Sequence, residues 1–214
     1  MKNLIAITTL FFVLAVSLSA QTEFVPVSKN FTMGVGPIIG YKIGINAADI
    51  EQGTKNGVAQ ANMPDFGAQF YMPFSKENTL GLILDATYAN NQYLLKPCSG
   101  EFTERFQYFA IGANFYLSGF TIGLNVGIPL GGSRNKDGKE LISYKTEMFN
   151  TMYEVRIGGN ITLNESNTGR MIFFINGGYQ INEQYADGFN SGNHARHPAS
   201  IQIGLGYIIN VVSK

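Results

Sequence analysis

His194 and His197 stand three residues apart, with Arg196 between them and Asp187 and Ser191 just upstream. Two imidazoles at that spacing could hold a metal ion or act as a base, and with Ser and Asp nearby they could serve hydrolysis. The spacing is specific to none of these reactions, and a polar His in a loop is commonplace. No catalytic residue, no metal ligand and no cofactor-binding residue is assigned on this ground. The run Gly34-Val35-Gly36-Pro37-Ile38-Ile39-Gly40 resembles a dinucleotide loop, but its spacing is one residue too long and no helix follows. Cys98 is the single cysteine, so no internal disulfide staples the fold. It lies beside Pro97 and Ser99-Gly100 and reads as an incidental loop thiol.

Four charged residues are more informative. Lys42, Asp85, Glu154 and Arg156 all fall on the small, polar face of an alternating stretch. Two are basic and two acidic. Charge taken out of water is costly unless paired, so these four are expected to form one neutral network inside the fold.

The stretches that position them follow one rule. Ile201 to Val211 places Ile201, Ile203, Leu205, Tyr207, Ile209 and Val211 at odd positions, against Gln202, Gly204, Gly206 and Asn210 at even ones. Strand side chains alternate faces with period 2, so one face is greasy and the other small and polar. Similar alternation recurs at about 32–46, 65–73, 79–90, 105–117, 120–128, 148–163 and 170–182, which makes eight expected strands. Pro37 falls on the apolar face of the first and should mark a bulge or a weakly paired position. No segment keeps a helical period, so no helix is expected after the leader.

The connections alternate in length. Segments 47–64, 91–104, 129–147 and 183–198 are long and polar, whereas 74–78, 118–119 and 164–169 are short. Ser118-Gly119 is a two-residue hairpin signal. The expectation is an all-β, eight-stranded, antiparallel, up-and-down transmembrane β-barrel. It is inside-out relative to a soluble barrel, because a small lumen has no room for five or six bulky aliphatic groups per strand. Closure removes the open edges that lipid cannot satisfy. Aromatic residues gather toward both strand ends: Phe70, Phe74, Phe115, Tyr116, Phe120 and Tyr207 at one, and Tyr88, Phe106, Tyr108, Tyr153 and Tyr179 at the other. Two interfacial girdles would have this distribution.

The N-terminus adds a compartment. Lys2, the apolar run Leu4–Leu18 and the small-residue zone Ser17–Ala20 form a secretory leader. Residues 1–20 are expected to be a cleaved signal peptide, 21–31 a short periplasmic segment, and 32–214 the barrel. Without the leader the chain carries 14 basic and 15 acidic residues, one fewer positive charge than the full chain because Lys2 is lost. That balance excludes a nucleic-acid binder, which needs a basic surplus.

The opening Gly40-Tyr41-Lys42-Ile43-Gly44-Ile45-Asn46, the run Phe120 to Leu130 and the closing Gly204-Leu205-Gly206-Tyr207 resemble the small outer-membrane β-barrels of Bacteroidota type, the PorT-like or outer-membrane-barrel-domain proteins. Many outer-membrane barrels end on an aromatic residue, and this sequence departs from them by ending Val211-Val212-Ser213-Lys214. The resemblance implies residence in the outer membrane of a Gram-negative bacterium and no catalysis. The leading expectation is a non-enzymatic barrel with a structural, docking or adhesion role through its outer loops, and with no further periplasmic domain. Its partners would be outer-membrane lipid and other envelope proteins. A diffusion porin is disfavoured, because eight strands leave a lumen filled by side chains. Two alternatives are an accessory component of a secretion or gliding machine, and a lipid-modifying enzyme working at the rim through His194 or His197.

Overall fold

A computed structural model describes residues 32–48, 52–75, 78–136, 139–166, 168–189 and 196–213. The expected leader, the segment 21–31, Ser191 and His194 lie outside these. Eleven strands are present: β1 Thr32–Asn46, β2 Lys55–Gly57, β3 Ala59–Gln60, β4 Asp65–Pro73, β5 Leu80–Lys96, β6 Phe102–Leu117, β7 Phe120–Lys136, β8 Lys139–Tyr144, β9 Met152–Glu165, β10 Gly169–Gln180 and β11 Pro198–Ser213. Eight of them form a closed antiparallel ring in the order β1-β4-β5-β6-β7-β9-β10-β11, and β11 pairs back onto β1. The remaining three are short additions. β2 pairs β5, β3 pairs β1, and β8 pairs β7, all at the long-loop end of the ring.

Period-2 alternation decides which face each side chain takes, and it does so on every ring strand. Leu124 is 59% exposed and Phe115 60%, whereas their strand neighbours Asn125 and Asn114 are buried. Val35, Phe66, Leu84, Ile111, Ile157, Met171 and Leu205 continue this apolar outer belt around the ring. Among the described residues no charged side chain occupies an outward position within the belt. A water-soluble barrel would have the opposite arrangement.

The hairpin at Ser118-Gly119 has both residues at positive φ, 47° and 94°. That is the primed geometry whose twist matches two antiparallel strands, and Gly119 adopts it without steric cost. Between Val35 and Ile38 the β1–β11 ladder is interrupted at Gly36 and Pro37. Pro37 has no N–H to give, so weak pairing is the outcome there; the bulge lies instead between Met33 and Gly34.

Several expectations change at the long-loop end. β5 runs to Lys96 and β6 starts at Phe102, so most of 91–104 is strand. Likewise β7 continues to Lys136 and β8 folds back along it, followed by a 3-10 turn at Thr146–Met148, the one helical turn among the described residues. Polar composition suggested loop in these places. Long-range pairing turns it into strand, since Phe102–Gln107 ladders with Gly131–Lys136. The aromatic girdles also need correcting. Phe106 and Tyr108 are buried inside the ring, and Tyr116 packs against an inner cluster at the short-turn end. Tyr153, Tyr179, Phe115 and Tyr207 do face outward.

Candidate functional site

Buried charges meet inside the ring, whereas the pairs Lys96–Glu101 and Lys145–Glu147 are exposed. Arg156 on β9 reaches across to Asp85 on β5, with Nη1 3.2 Å from both carboxylate oxygens. Its Nε donates to Glu154 Oε1 at 3.2 Å. Lys42 on β1 takes a different partner from the three it was grouped with. Its Nζ lies 2.8 Å from Asp65 Oδ2, and it also donates to Asn91 Oδ1 at 2.8 Å. This layer of the interior therefore holds two cations and three carboxylates, with Asp65 the residue that strand parity at the start of β4 could have supplied: it shares the inward face with Gly67 and Gln69.

Each carboxylate also accepts from amides. Asn114 Nδ2 donates to Asp85 at 2.9 Å, Asn125 Nδ2 to Glu154 at 3.2 Å, and Gln202 Nε2 to Asp65 at 2.8 Å. The Asn90 backbone N–H adds a 2.7 Å bond to Asp65 Oδ1. Such satisfaction is what makes buried charge tolerable. Room for it comes from glycine. A Cβ on Gly112 would sit 2.5 Å from Asp85 Oδ2, and one on Gly178 would sit 2.7 Å from Glu154 Oε2.

Above and below this layer the ring is filled. Tyr71, Ile83, Ile172 and Ile208 pack at the short-turn end, where Arg170 stacks over the Tyr71 ring at 4.1 Å. At the long-loop end Tyr93, Phe106, Tyr144, Phe149, Met152 and Tyr185 form an aromatic plug. Between them a cavity of about 30 Å³ remains, lined by Asp65, Gln69, Asp85, Thr87 and Arg156 among others. That is roughly the space of one water molecule. The arrangement can hold a barrel shut.

A fourth buried carboxylate organises the plug, and it lies in 91–104, a segment whose composition reads as loop. Glu104 is fully buried and accepts from Arg134 Nε at 2.5 Å, from Tyr144 OH at 3.1 Å and from Tyr185 OH at 3.3 Å. Burial, followed by the Glu104 charge, pushes the Tyr144 phenol up to about 12, partly offset by Arg134. Burial also raises Tyr185. With the folded value above the unfolded one of about 10, the stability these phenols contribute is complete below pH 10. It falls away as pH rises through about 12. Tyrosinate absorbance should therefore lag that of free tyrosine, and proteolysis of the β7–β8 hairpin should rise across the same window. Glu104→Gln should weaken the plug by about 1.5–3 kcal/mol, the range for hydrogen bonds to a charged group. Unchanged hydrogen exchange at Tyr144 and Tyr185 in that variant would contradict the bonding.

His197 is half-buried, stacks on Tyr179 at 6.1 Å between ring centroids, and has Nδ1 3.2 Å from the Gln180 carbonyl oxygen. Arg196 is buried and Asp187 exposed. Among the described residues no three His, Cys, Asp or Glu stand close enough to share a metal ion. Cys98 is exposed between β5 and β6, its Sγ 3.7 Å from the Gly53 carbonyl oxygen.

Fold and interior together define a class: a closed, eight-stranded antiparallel barrel, apolar outside, with a polar, ion-paired and plugged interior. No family model matches the chain, and no curated protein does. Among solved structures, the outer membrane protein OprG of Pseudomonas aeruginosa is similar at 15% identity and a TM-score of 0.39, covering 86% of this chain and 99% of its own. Ail of Yersinia pestis, the attachment invasion locus protein, is similar at 12% identity and a TM-score of 0.38, over 83% and 99%. The translocator domain of the autotransporter NalP of Neisseria meningitidis follows at 10% and 0.35, over 96% and 97%. At these scores the likeness adds nothing to the barrel that the strand pairings already define.

Proposed function

We propose that the chain is a non-conducting barrel of the outer membrane, which holds a folded rim on the outer side for docking rather than catalysis. One observation carries this reading: large apolar side chains face outward on all eight ring strands, around an interior of paired charges. In water such a surface would aggregate, whereas acyl chains are its natural solvent. On β7 the outward run Ile122–Leu130 spans nine residues, the length a tilted strand needs to cross a hydrocarbon core. Closure is what a membrane strand requires, since lipid offers no partner for a free edge.

The plug argues against a conduit, and the long-loop end supports docking. β5–β6 and β7–β8 extend beyond the belt as paired strands, a stiffer display than irregular loops. Leu141 is 54% exposed there, next to exposed Ile142, Phe189 of the β10–β11 connection is exposed too, and such side chains suit contact with another envelope protein. A subunit of a secretion or gliding machine would be one form of that role.

Expression in a Gram-negative host should place the protein in the outer-membrane fraction, with gel migration that shifts on boiling. In planar bilayers it should give no steady conductance. A mature chain that stays soluble and monomeric in plain buffer would overturn the reading, and a stable conductance would overturn the plugged interior.

A further inference from the structure

Past the apolar belt, β2, β5, β6, β7 and β8 pair in that order at the long-loop end. The closed ring has no free edge, but this extension has two, at β2 and β8. β2 is three residues long and ends on Gly57, so it offers an incoming strand little. β8 is the longer edge, with six residues, Lys139–Tyr144, of which five are exposed. Among the described residues its strand partner is β7 alone, and no backbone bond from a turn or loop reaches it.

A strand in a sheet bonds neighbours on both sides, so β8 keeps a row of N–H and C=O groups that β7 does not use. Another extended backbone is the natural complement of such a row. Proteins guard free edges with proline, brevity, charge, a bulge or a cover. β8 has a bulge at Leu141 and charges at Lys139 and Glu140, but it has no proline. Leu141 and Ile142 are both exposed beside the open edge. At the start of β8, Lys139 stands directly opposite Lys136. Among the described residues no carboxylate lies within ion-pairing distance of either. Like charges set opposite each other are destabilising, so an acidic group arriving there is favoured.

We propose that β8 docks an extended segment of another protein by antiparallel strand addition. The incoming strand sets apolar side chains against Leu141 and Ile142. Running antiparallel, it brings its C-terminal end to Lys136 and Lys139, and that end is acidic. The proposal rests on the docking reading above and names the chemistry of the partner: backbone in β conformation, apolar in the middle, acidic at its C-terminal end.

The test uses the detergent-folded protein, with heat-modifiable migration checked first and reductant present to keep Cys98 a thiol. The probe is a short synthetic peptide of alternating valine and threonine that ends in two glutamates. Its binding is followed by titration and by hydrogen exchange. The amides of Lys139–Tyr144 that exchange fast in the free protein should slow by about 10-fold at a peptide concentration about ten times its Kd. N-methylation of alternate peptide amides keeps the side chains and removes the donors, and should weaken binding by about 10-fold or more. Ile142→Lys, at an exposed position, should weaken it by about 10-fold as well. Moving the glutamates to the N-terminus should weaken it too. No binding, or protection that falls outside β8, would overturn the site and leave the barrel standing. A methylated peptide that binds as tightly would overturn strand addition and leave a rim that docks through side chains. A dimer of the protein that Ile142→Lys breaks would make a second copy the occupant and overturn the foreign partner. A chain that never shows heat-modifiable migration would overturn the membrane reading instead.

Discussion

Replacing Arg156 with methionine should lower the stability of the folded barrel by about 3–5 kcal/mol, the cost of leaving a buried charge without its partner. Arg156 serves two carboxylates at once, Asp85 through Nη1 and Glu154 through Nε. Methionine fills much of the same volume, so the loss is electrostatic rather than a cavity. Asn114 and Asn125 would still donate to the two carboxylates, but neither brings a charge. The triple variant Arg156→Met, Asp85→Asn, Glu154→Gln removes the whole group and should return to within about 1 kcal/mol of the parent, as buried ion clusters often do when replaced together. Urea unfolding in lipid vesicles reads both. A single variant as stable as the parent would mean that water screens the interior, and the ion pairs would then contribute little.

The faces of the ring strands were legible in the sequence because the barrel has two faces of opposite polarity. Ile203, Leu205 and Tyr207 alternate with Gly204 and Gly206 wherever the apolar outer belt stands against a narrow lumen, and period 2 then settles each side chain. Past the belt that contrast ends. Residues 131–136, Gly-Gly-Ser-Arg-Asn-Lys, have loop composition, yet they ladder with β6 on one side and β8 on the other. What holds them is the Glu104 cluster, whose partners Arg134, Tyr144 and Tyr185 lie 30, 40 and 81 residues away. No local pattern carries contacts of that separation. Phe106 and Tyr108 illustrate the same limit: an aromatic near a strand end serves a girdle or a plug equally well, and only the ring's closure decides. The charge layer was legible in parity but not in pairing. Lys42, Asp85, Glu154 and Arg156 all point inward, whereas which carboxylate meets Lys42 depends on the stagger between β1 and β4, where Gly40 stands opposite Asp65.

That stagger makes the Lys42–Asp65 pair the second large effect, and an asymmetric one. The two side chains are 4% and 3% exposed. Losing Lys42 leaves Asp65 still bonded to Gln202 Nε2 and the Asn90 N–H. Losing the Asp65 charge leaves the ammonium with Asn91 Oδ1 as its one remaining direct partner among the described residues, with the Glu154 charge nearby but not bonded to it. Asp65→Asn should therefore cost more, about 3–5 kcal/mol, and Lys42→Met about 2–3 kcal/mol. The double variant should be more stable than Asp65→Asn alone, because neither charge is then stranded. In a double-mutant cycle the coupling should then exceed the Lys42→Met cost itself, about 2–3 kcal/mol, well beyond the scatter expected of independent sites. The comparison also separates pairing from packing: a cavity left by Lys42 would persist in the double variant, whereas a stranded charge would not. Additive costs would show that Lys42 and Asp65 are held by their amide neighbours and not by each other.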